Sequence, residues 1–237
     1  MSQTQTNPMA LARGVGALYL ILTVTALFAE IGVRSQMFVK GDALASAQNI
    51  QAGEFIYRIG FVADLVTVAC DVGVAALLYL LLLPVDRTLS MLAAAFRIAM
   101  ACVLAFAAIL AMGPLLLATG MNGQSFSPAS SELFLLLSRL RGIGANSAMV
   151  LFGIHLALVG YLVVRSGFLP KLIGLLLAAA GVGYVLNSCA RLLWPGLIDP
   201  VFPAIAALWV AAEWSLTAWL LVKGVNVEKW RVADGRR

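Results

Sequence analysis

Residues 56–83 read IYRIGFVADLVTVACDVGVAALLYLLLL. A bilayer span needs about 20 predominantly apolar residues, and this run exceeds that. It is too long for a strand, and it lacks the period-two alternation of a transmembrane barrel strand. The reading is a membrane helix, its backbone polar groups satisfied within the segment. Two carboxylates, Asp64 and Asp71, lie inside it. Charges at that depth are costly and face a protein partner or a polar cavity.

The rest of the chain agrees. Of 237 residues, 62% are hydrophobic and 11% are charged, with mean hydropathy +0.97. Soluble domains carry roughly 25% charged residues. Five further runs are long and apolar enough to span: 13–33, 89–118, 143–165, 171–193 and 201–223. The fold class expected is therefore all-α, a polytopic membrane helical bundle of six transmembrane helices with short outer-face helices. Residues 1–12 read as a disordered tail, 13–225 as the transmembrane domain and 226–237 as a basic tail. The first apolar run is longer than a signal-peptide core and no small-residue cleavage site follows it, so it reads as a span.

Six spans put both termini on one side. That side carries Arg13, Arg87, Arg165, Lys171, Lys223, Lys229, Arg231, Arg236 and Arg237, against Arg34, Lys40, Arg58, Arg139, Arg141 and Arg191 opposite. Cytoplasmic loops are enriched in Lys and Arg, so both termini are expected in the cytoplasm of a bacterial plasma (inner) membrane. Segments 41–55 and 127–141 read as short helices on the outer face, or as extensions of spans two and four. The second has Ser127 as N-cap and Pro128 at the first helical position, with Gly142 and Gly144 as a bend site. The net charge of +5 belongs to loop ends and is no nucleic-acid signal. An echo, RGVGA at 13–17 and RGIGA at 141–145, is a weak sign of an inverted repeat.

The polar residues inside the spans are the candidate site: Glu30, Arg34, Arg58, Asp64, Thr67, Asp71, Arg97, His155, Tyr184, Asn187, Arg191 and Glu213. Asp64 and Asp71 are seven apart, about 20° off one helix face and about 10 Å apart along the axis. Gly60 and Thr67 extend that stripe. Counting from the turn at Pro84, Asp71 and Arg97 reach matching depth on neighbouring helices, so an Asp71–Arg97 pair is expected. Asp64 lies within reach of Arg58, Arg191 or Arg34. His155 and Glu213 sit midway along spans four and six; Tyr184, Asn187 and Arg191 share a face of span five. Asp71, Glu213, His155 and Asp64 are the candidates for acid–base work. The plainer reading is that these groups are interhelical glue. Arg34, Arg58 and Arg191 then snorkel, and Trp194, Trp209 and Trp219 anchor or pack.

Several chemistries are excluded on sequence grounds. Cys70, Cys102 and Cys189 are dispersed, and neither CxxC nor HxxxH spacing occurs, so no metal is expected. One histidine cannot supply a haem ligand pair. There is no phosphate-binding loop and no dinucleotide fingerprint, so no cofactor is expected.

The stretches FAEIGVRS (28–35), RIGFVADLVTVACDV (58–72), LLPVDRTLSMLAAAFR (82–97), FGIHLALVGYLVVRSGFLPKLIG (152–174), GYVLNSCARLLWP (183–195) and EWSLTAWLLVKGV (213–225) resemble the bacterial membrane family of domain of unknown function 4386 (DUF4386). The resemblance implies a six-span membrane protein. It assigns no activity to any residue.

Three functions compete. The leading one is binding or transport of a small, lipophilic molecule coupled to protons through Asp64, Asp71, His155 and Glu213, in a polar cavity opening toward the outer half. Six helices are few for a monomeric carrier, so this version implies a homodimer in the lipid bilayer. The second is a membrane-embedded enzyme using Asp71 or Glu213 as a buried acid on an isoprenoid-like substrate. The third is a structural subunit without chemistry.

Overall fold

The computed structural model describes residues 7–120, 126–194, 196 and 200–235. Among them there are helices and no strand. Six helices meet the length and hydropathy of a membrane span: Pro8–Met37, Glu54–Leu82, Arg87–Thr119, Ala129–Ser166, Lys171–Leu193 and Phe202–Val222. The protein is thus an all-α, multi-pass membrane protein. Each expected span is found, most with ends shifted by a few residues. The largest shift lies before span four, because segment 127–141 does not break off.

Local chemistry sets the ends. Helix α1 (Pro8–Leu27) begins where the Asn7 side chain accepts from the Met9 and Ala10 amides at 3.0 and 3.3 Å, as an N-cap does. Residues 8–12 are therefore helical, which corrects the tail expected there; residues 1–6 lie outside the described residues. A seven-residue π-helix, Phe28–Arg34, follows and leads into the single turn α2 (Ser35–Met37). Helix α3 (Ala43–Ala52) is capped by Asp42 through the Ala45 amide at 2.9 Å. Helix α4 (Glu54–Leu82) is the opening stretch. Helix α5 (Arg87–Thr119) starts from Asp86, whose side chain accepts from the Leu89 amide at 2.9 Å.

Helix α6 (Pro128–Ser166) runs through Gly142 and Gly144 without interruption, so of the two alternatives for 127–141 the extension of span four is found, and the helix does not break at these glycines. Ser127 accepts from the Ser130 amide at 3.2 Å, as the sequence anticipates. Helices α7 (Lys171–Leu193) and α8 (Phe202–Val222) complete the spans. The short α9 (Val227–Asp234) occupies the expected basic tail; Arg236 and Arg237 lie outside the described residues.

The chain divides into two compact units. The first unit takes the described residues of Met1–Leu20, Cys70–Met100 and Met149–Arg237; the second takes Ile21–Ala69 and Ala101–Ala148. Helices α1, α4, α5 and α6 each contribute to both.

In the first unit, α6 and α7 approach through glycines. A Cβ on Gly160 would lie 2.5 Å from the Ala178 amide nitrogen and 2.6 Å from the Gly174 carbonyl oxygen. A Cβ on Gly181 would lie 2.5 Å from the Gly153 carbonyl oxygen. Small residues let membrane helices pack backbone to backbone. Gly160→Leu is expected to destabilise the first unit by about 1–3 kcal/mol, as overpacking does; the unfolding midpoint in detergent measures it, and an unchanged midpoint counts against this packing. In the second unit, α3 packs into an apolar core of Val33, Met37, Ala47, Ile50, Tyr57, Leu115 and Phe134. Many large apolar side chains stay exposed, among them Ile59, Val62, Leu65, Ile109 and Leu175. That is the surface a bilayer covers.

Candidate functional site

The expected polar residues divide between the units and form two clusters. In the first unit the centre is Arg97, fully buried. Its Nε and Nη2 donate to Asp71 Oδ1 at 3.1 and 2.7 Å. Its Nη1 donates to the Tyr19 hydroxyl and meets His155 Nε2 at 3.1 Å. The guanidinium also lies over the rings of Tyr19 and Phe152, 4.6 and 5.5 Å from their centroids. One cation thereby ties α1, α4, α5 and α6 together.

The hydrogen bonds around His155 assign its tautomer. Nδ1 lies 2.8 Å from the Ala93 carbonyl oxygen, which can only accept. Nε2 faces an arginine N–H, which can only donate. The imidazole is therefore neutral with its proton on Nδ1. Of the four acid–base candidates, Asp71, Asp64 and His155 are each committed to an arginine. Glu213 is not in an ion pair among the described residues. Tyr184 donates to its Oε1 at 2.7 Å. A proton exchanged at Glu213 breaks no salt bridge.

Around that pair stands an aromatic stack. Tyr184 and Trp209 lie face to face, with centroids 3.9 Å apart, and Phe152 meets Tyr184 edge-on at 5.1 Å. Trp209 is thus a packing residue, one of the two roles expected of it. Asn187 is buried, and its Oδ1 accepts from Arg191 Nε at 3.4 Å. Arg191 also covers the Phe202 ring at 4.7 Å.

The second unit holds the other cluster. Arg34 forks onto Asp64, Nη1 to Oδ2 at 2.6 Å and Nη2 to Oδ1 at 3.0 Å. Its Nε donates to Glu30 Oε2 at 2.9 Å. Arg141 Nη2 donates to the same Glu30 oxygen at 2.7 Å. So Asp64 finds Arg34, one of the three cations offered by the sequence. Arg58 instead pairs with Glu54 at 2.6 Å on an exposed face. Thr67 shares a 2.7 Å hydrogen bond with Thr25.

Glu30 and Arg34 both sit on the π-helix. Such segments are rare and occur often at functional sites. Beside them is a cavity of 250 Å³. Its lining includes Glu30, Arg34 and Arg141 together with Phe38, Tyr57 and Pro114. Pro114 has no N–H, so the Leu110 carbonyl loses its helix donor. At the next residue, the Tyr57 hydroxyl donates to the Ala111 carbonyl at 2.7 Å. Arg34 is nearly enclosed, with 8% of its side chain exposed, whereas Glu30 has 56% exposed. Among the described residues Glu30 is the one polar partner of Arg141.

Sequence reasoning missed Tyr19, Tyr57 and Arg141 as members of these clusters. A tyrosine in an apolar run reads as a hydrophobe. Arg141 reads as a loop base as long as segment 127–141 is taken as separate from span four. Among the described residues no group of three or more His, Cys, Asp or Glu side chains is placed to hold a metal.

These features define a class: a multi-pass helical membrane protein with a buried arginine-centred cluster in each unit. The chain belongs to the DUF4386 family, a domain of unknown function, which it matches over residues 15–224. It is 32% identical over 121 residues to an uncharacterised protein of Archaeoglobus fulgidus, a match covering 51% of this chain. The match takes in 60% of that relative's length. No solved structure matches the chain.

Proposed function

We propose that the protein binds a small amphiphilic molecule with an acidic headgroup in the cavity of the second unit, within the membrane. One observation carries this reading. A cavity lined by Phe38, Tyr57 and Pro114 is lined as well by two guanidiniums that share a single, half-exposed carboxylate, Glu30. Ligand sites combine an apolar lining with a few placed polar groups. Arg34 and Arg141 both aim N–H groups at one oxygen, and a ligand carboxylate or phosphate offers the same acceptor. Glu30 then acts as an internal stand-in: it satisfies both arginines in the empty site and turns outward when a ligand anion replaces it. Arg34 stays in place because its fork to Asp64 is independent of Glu30.

Such a binder serves as a membrane receptor or as the substrate site of a carrier. In the carrier version we place proton exchange at Glu213, whose contact is a hydroxyl and not a cation. We further propose the bacterial plasma membrane, with both termini cytoplasmic, from the excess of Lys and Arg on that side.

Native mass spectrometry on protein purified in mild detergent tests the reading. Wild type is expected to carry a reproducible small acidic adduct, and Arg141→Gln to lose it while staying folded. Charge-assisted hydrogen bonds are worth about 1.5–3 kcal/mol, so the loss is about tenfold or more in affinity. Glu30→Gln removes the competing carboxylate and is expected to strengthen retention. A bare wild-type mass, with both variants identical to it, overturns the assignment.

A further inference from the structure

The arginines at the centre of the two clusters, Arg34, Arg97 and Arg141, are ion-paired. Four cations of the first unit are different. Arg87, Arg165, Lys223 and Lys229 form no ion pair among the described residues. They line two cavities. One, of 440 Å³, is bounded by Pro84, Asp86, Arg87, Arg165, Ser166 and Ala233. The other, of 290 Å³, is bounded by Phe168, Pro170, Trp219, Lys223, Asn226 and Lys229.

Their position along the chain is the second observation. The spans end at Leu82, Ser166 and Val222 and restart at Arg87 and Lys171. Arg87, Arg165 and Lys223 therefore sit at span ends, where headgroups begin, and Lys229 lies on α9 just beyond the last span. The one carboxylate among the lining residues, Asp86, has its Oδ1 on the Leu89 amide, capping α5. Arg165 Nη1 donates to the Tyr161 hydroxyl at 3.0 Å, a neutral partner, so the two guanidiniums of one cavity and the two ammoniums of the other keep their charge for an anion from elsewhere.

The walls are built and fixed. Trp230 Nε1 donates to the Leu81 carbonyl at 2.8 Å, and the Asn226 amide donates to the Phe168 carbonyl at 3.1 Å. Asn226 also caps α9 through the Lys229 amide at 3.0 Å. Helix α9 is thereby held across the turns at 83–87 and 166–170. It supplies Ala233 to the first cavity and Lys229 to the second. Trp219 is partly exposed beside Lys223, as aromatic anchors are at the membrane–water boundary.

We propose that these two cavities hold the phosphates of anionic phospholipids. A phosphate diester suits the Arg87–Arg165 cavity, since guanidiniums fork onto phosphate oxygens. The lysines of the second cavity add point charges. Basic pockets at the ends of membrane helices recognise anionic headgroups in this way. The site lies in the first unit and is independent of the ligand proposed for the second.

The test is native mass spectrometry with full-length protein delipidated in mild detergent and titrated with phosphatidylglycerol or phosphatidylcholine of matched chains. A third arm uses inorganic phosphate alone. Two double variants are compared, Arg87→Gln/Arg165→Gln and Lys223→Gln/Lys229→Gln. All four side chains are exposed, so unchanged unfolding midpoints are expected for both.

Phosphatidylglycerol is expected to bind about tenfold or more tightly than phosphatidylcholine. Each double variant is expected to lose one of two tightly held phosphatidylglycerol molecules, the one at its own cavity, because each juxtamembrane cation adds several-fold in affinity. The preference falls as salt is raised. Equal affinity for the two lipids, or a number of tightly held phosphatidylglycerol molecules unchanged in both double variants, overturns the proposal. Phosphate binding without any lipid preference assigns the cavities to a free anion and overturns it as well.

Discussion

Asp71→Leu is expected to destabilise the first unit by about 3–5 kcal/mol, the cost of leaving a buried charge without its partner. Arg97 is enclosed by Tyr19, Asp71, Phe152 and His155. Its other near groups are a hydroxyl, an imidazole and two aromatic faces, and none carries a negative charge. Arg97→Met is expected to cost less, because a lone carboxylate can take up a proton and an arginine cannot lose one.

The double variant Asp71→Leu/Arg97→Met is expected to be more stable than Asp71→Leu alone, since apolar side chains of similar volume replace a buried pair at little net cost. Unfolding free energies of the four proteins in mixed micelles form the cycle. If the double variant is as damaged as the sum of the singles, the pair is not the unit of interaction described here.

The second large effect is at Arg34. Arg34→Met removes the cation paired with Asp64 and half of the bridge at Glu30, three hydrogen bonds in all. Asp64 is 17% exposed at its side chain and Arg34 8%, so water replaces little of what is lost. A loss of about 2–3 kcal/mol in stability is expected, the scale of charged hydrogen bonds, together with loss of ligand retention. Arg34→Lys is expected to recover less than half. An ammonium cannot place donors on both Asp64 oxygens and on Glu30 in one plane. Full recovery by lysine would show that charge alone matters there and that the fork does not.

How much of this was legible depended on the kind of information needed. Asp71 and Arg97 could be matched because Pro84 fixes the turn between their helices, so depth alone predicts their meeting. Asp64 had no such ruler. Three arginines lay within reach, and the choice falls on Arg34, which sits on the π-helix at 28–34 and reaches Asp64 of α4. A π segment has no local sequence signature; tertiary fit retains it.

The seven-residue spacing of Asp64 and Asp71 showed a common stripe. It did not show that two carboxylates about 10 Å apart along the axis belong to different units. His155 was legible as buried but not as neutral, because its tautomer is set by the Ala93 carbonyl, a backbone group that composition hides.

The cavity lined by Glu30, Arg34 and Arg141 is expected to take an acidic headgroup with an apolar tail. Octanoate and octanol share a chain and differ at the headgroup, so their binding to the protein in nanodiscs, followed by ligand-observed NMR, tests it most directly. Saturable octanoate binding is expected, at least about tenfold tighter than octanol, weakened by Arg141→Gln and tightened by Glu30→Gln. Equal binding of the two, or octanoate binding indifferent to Arg141→Gln, contradicts it.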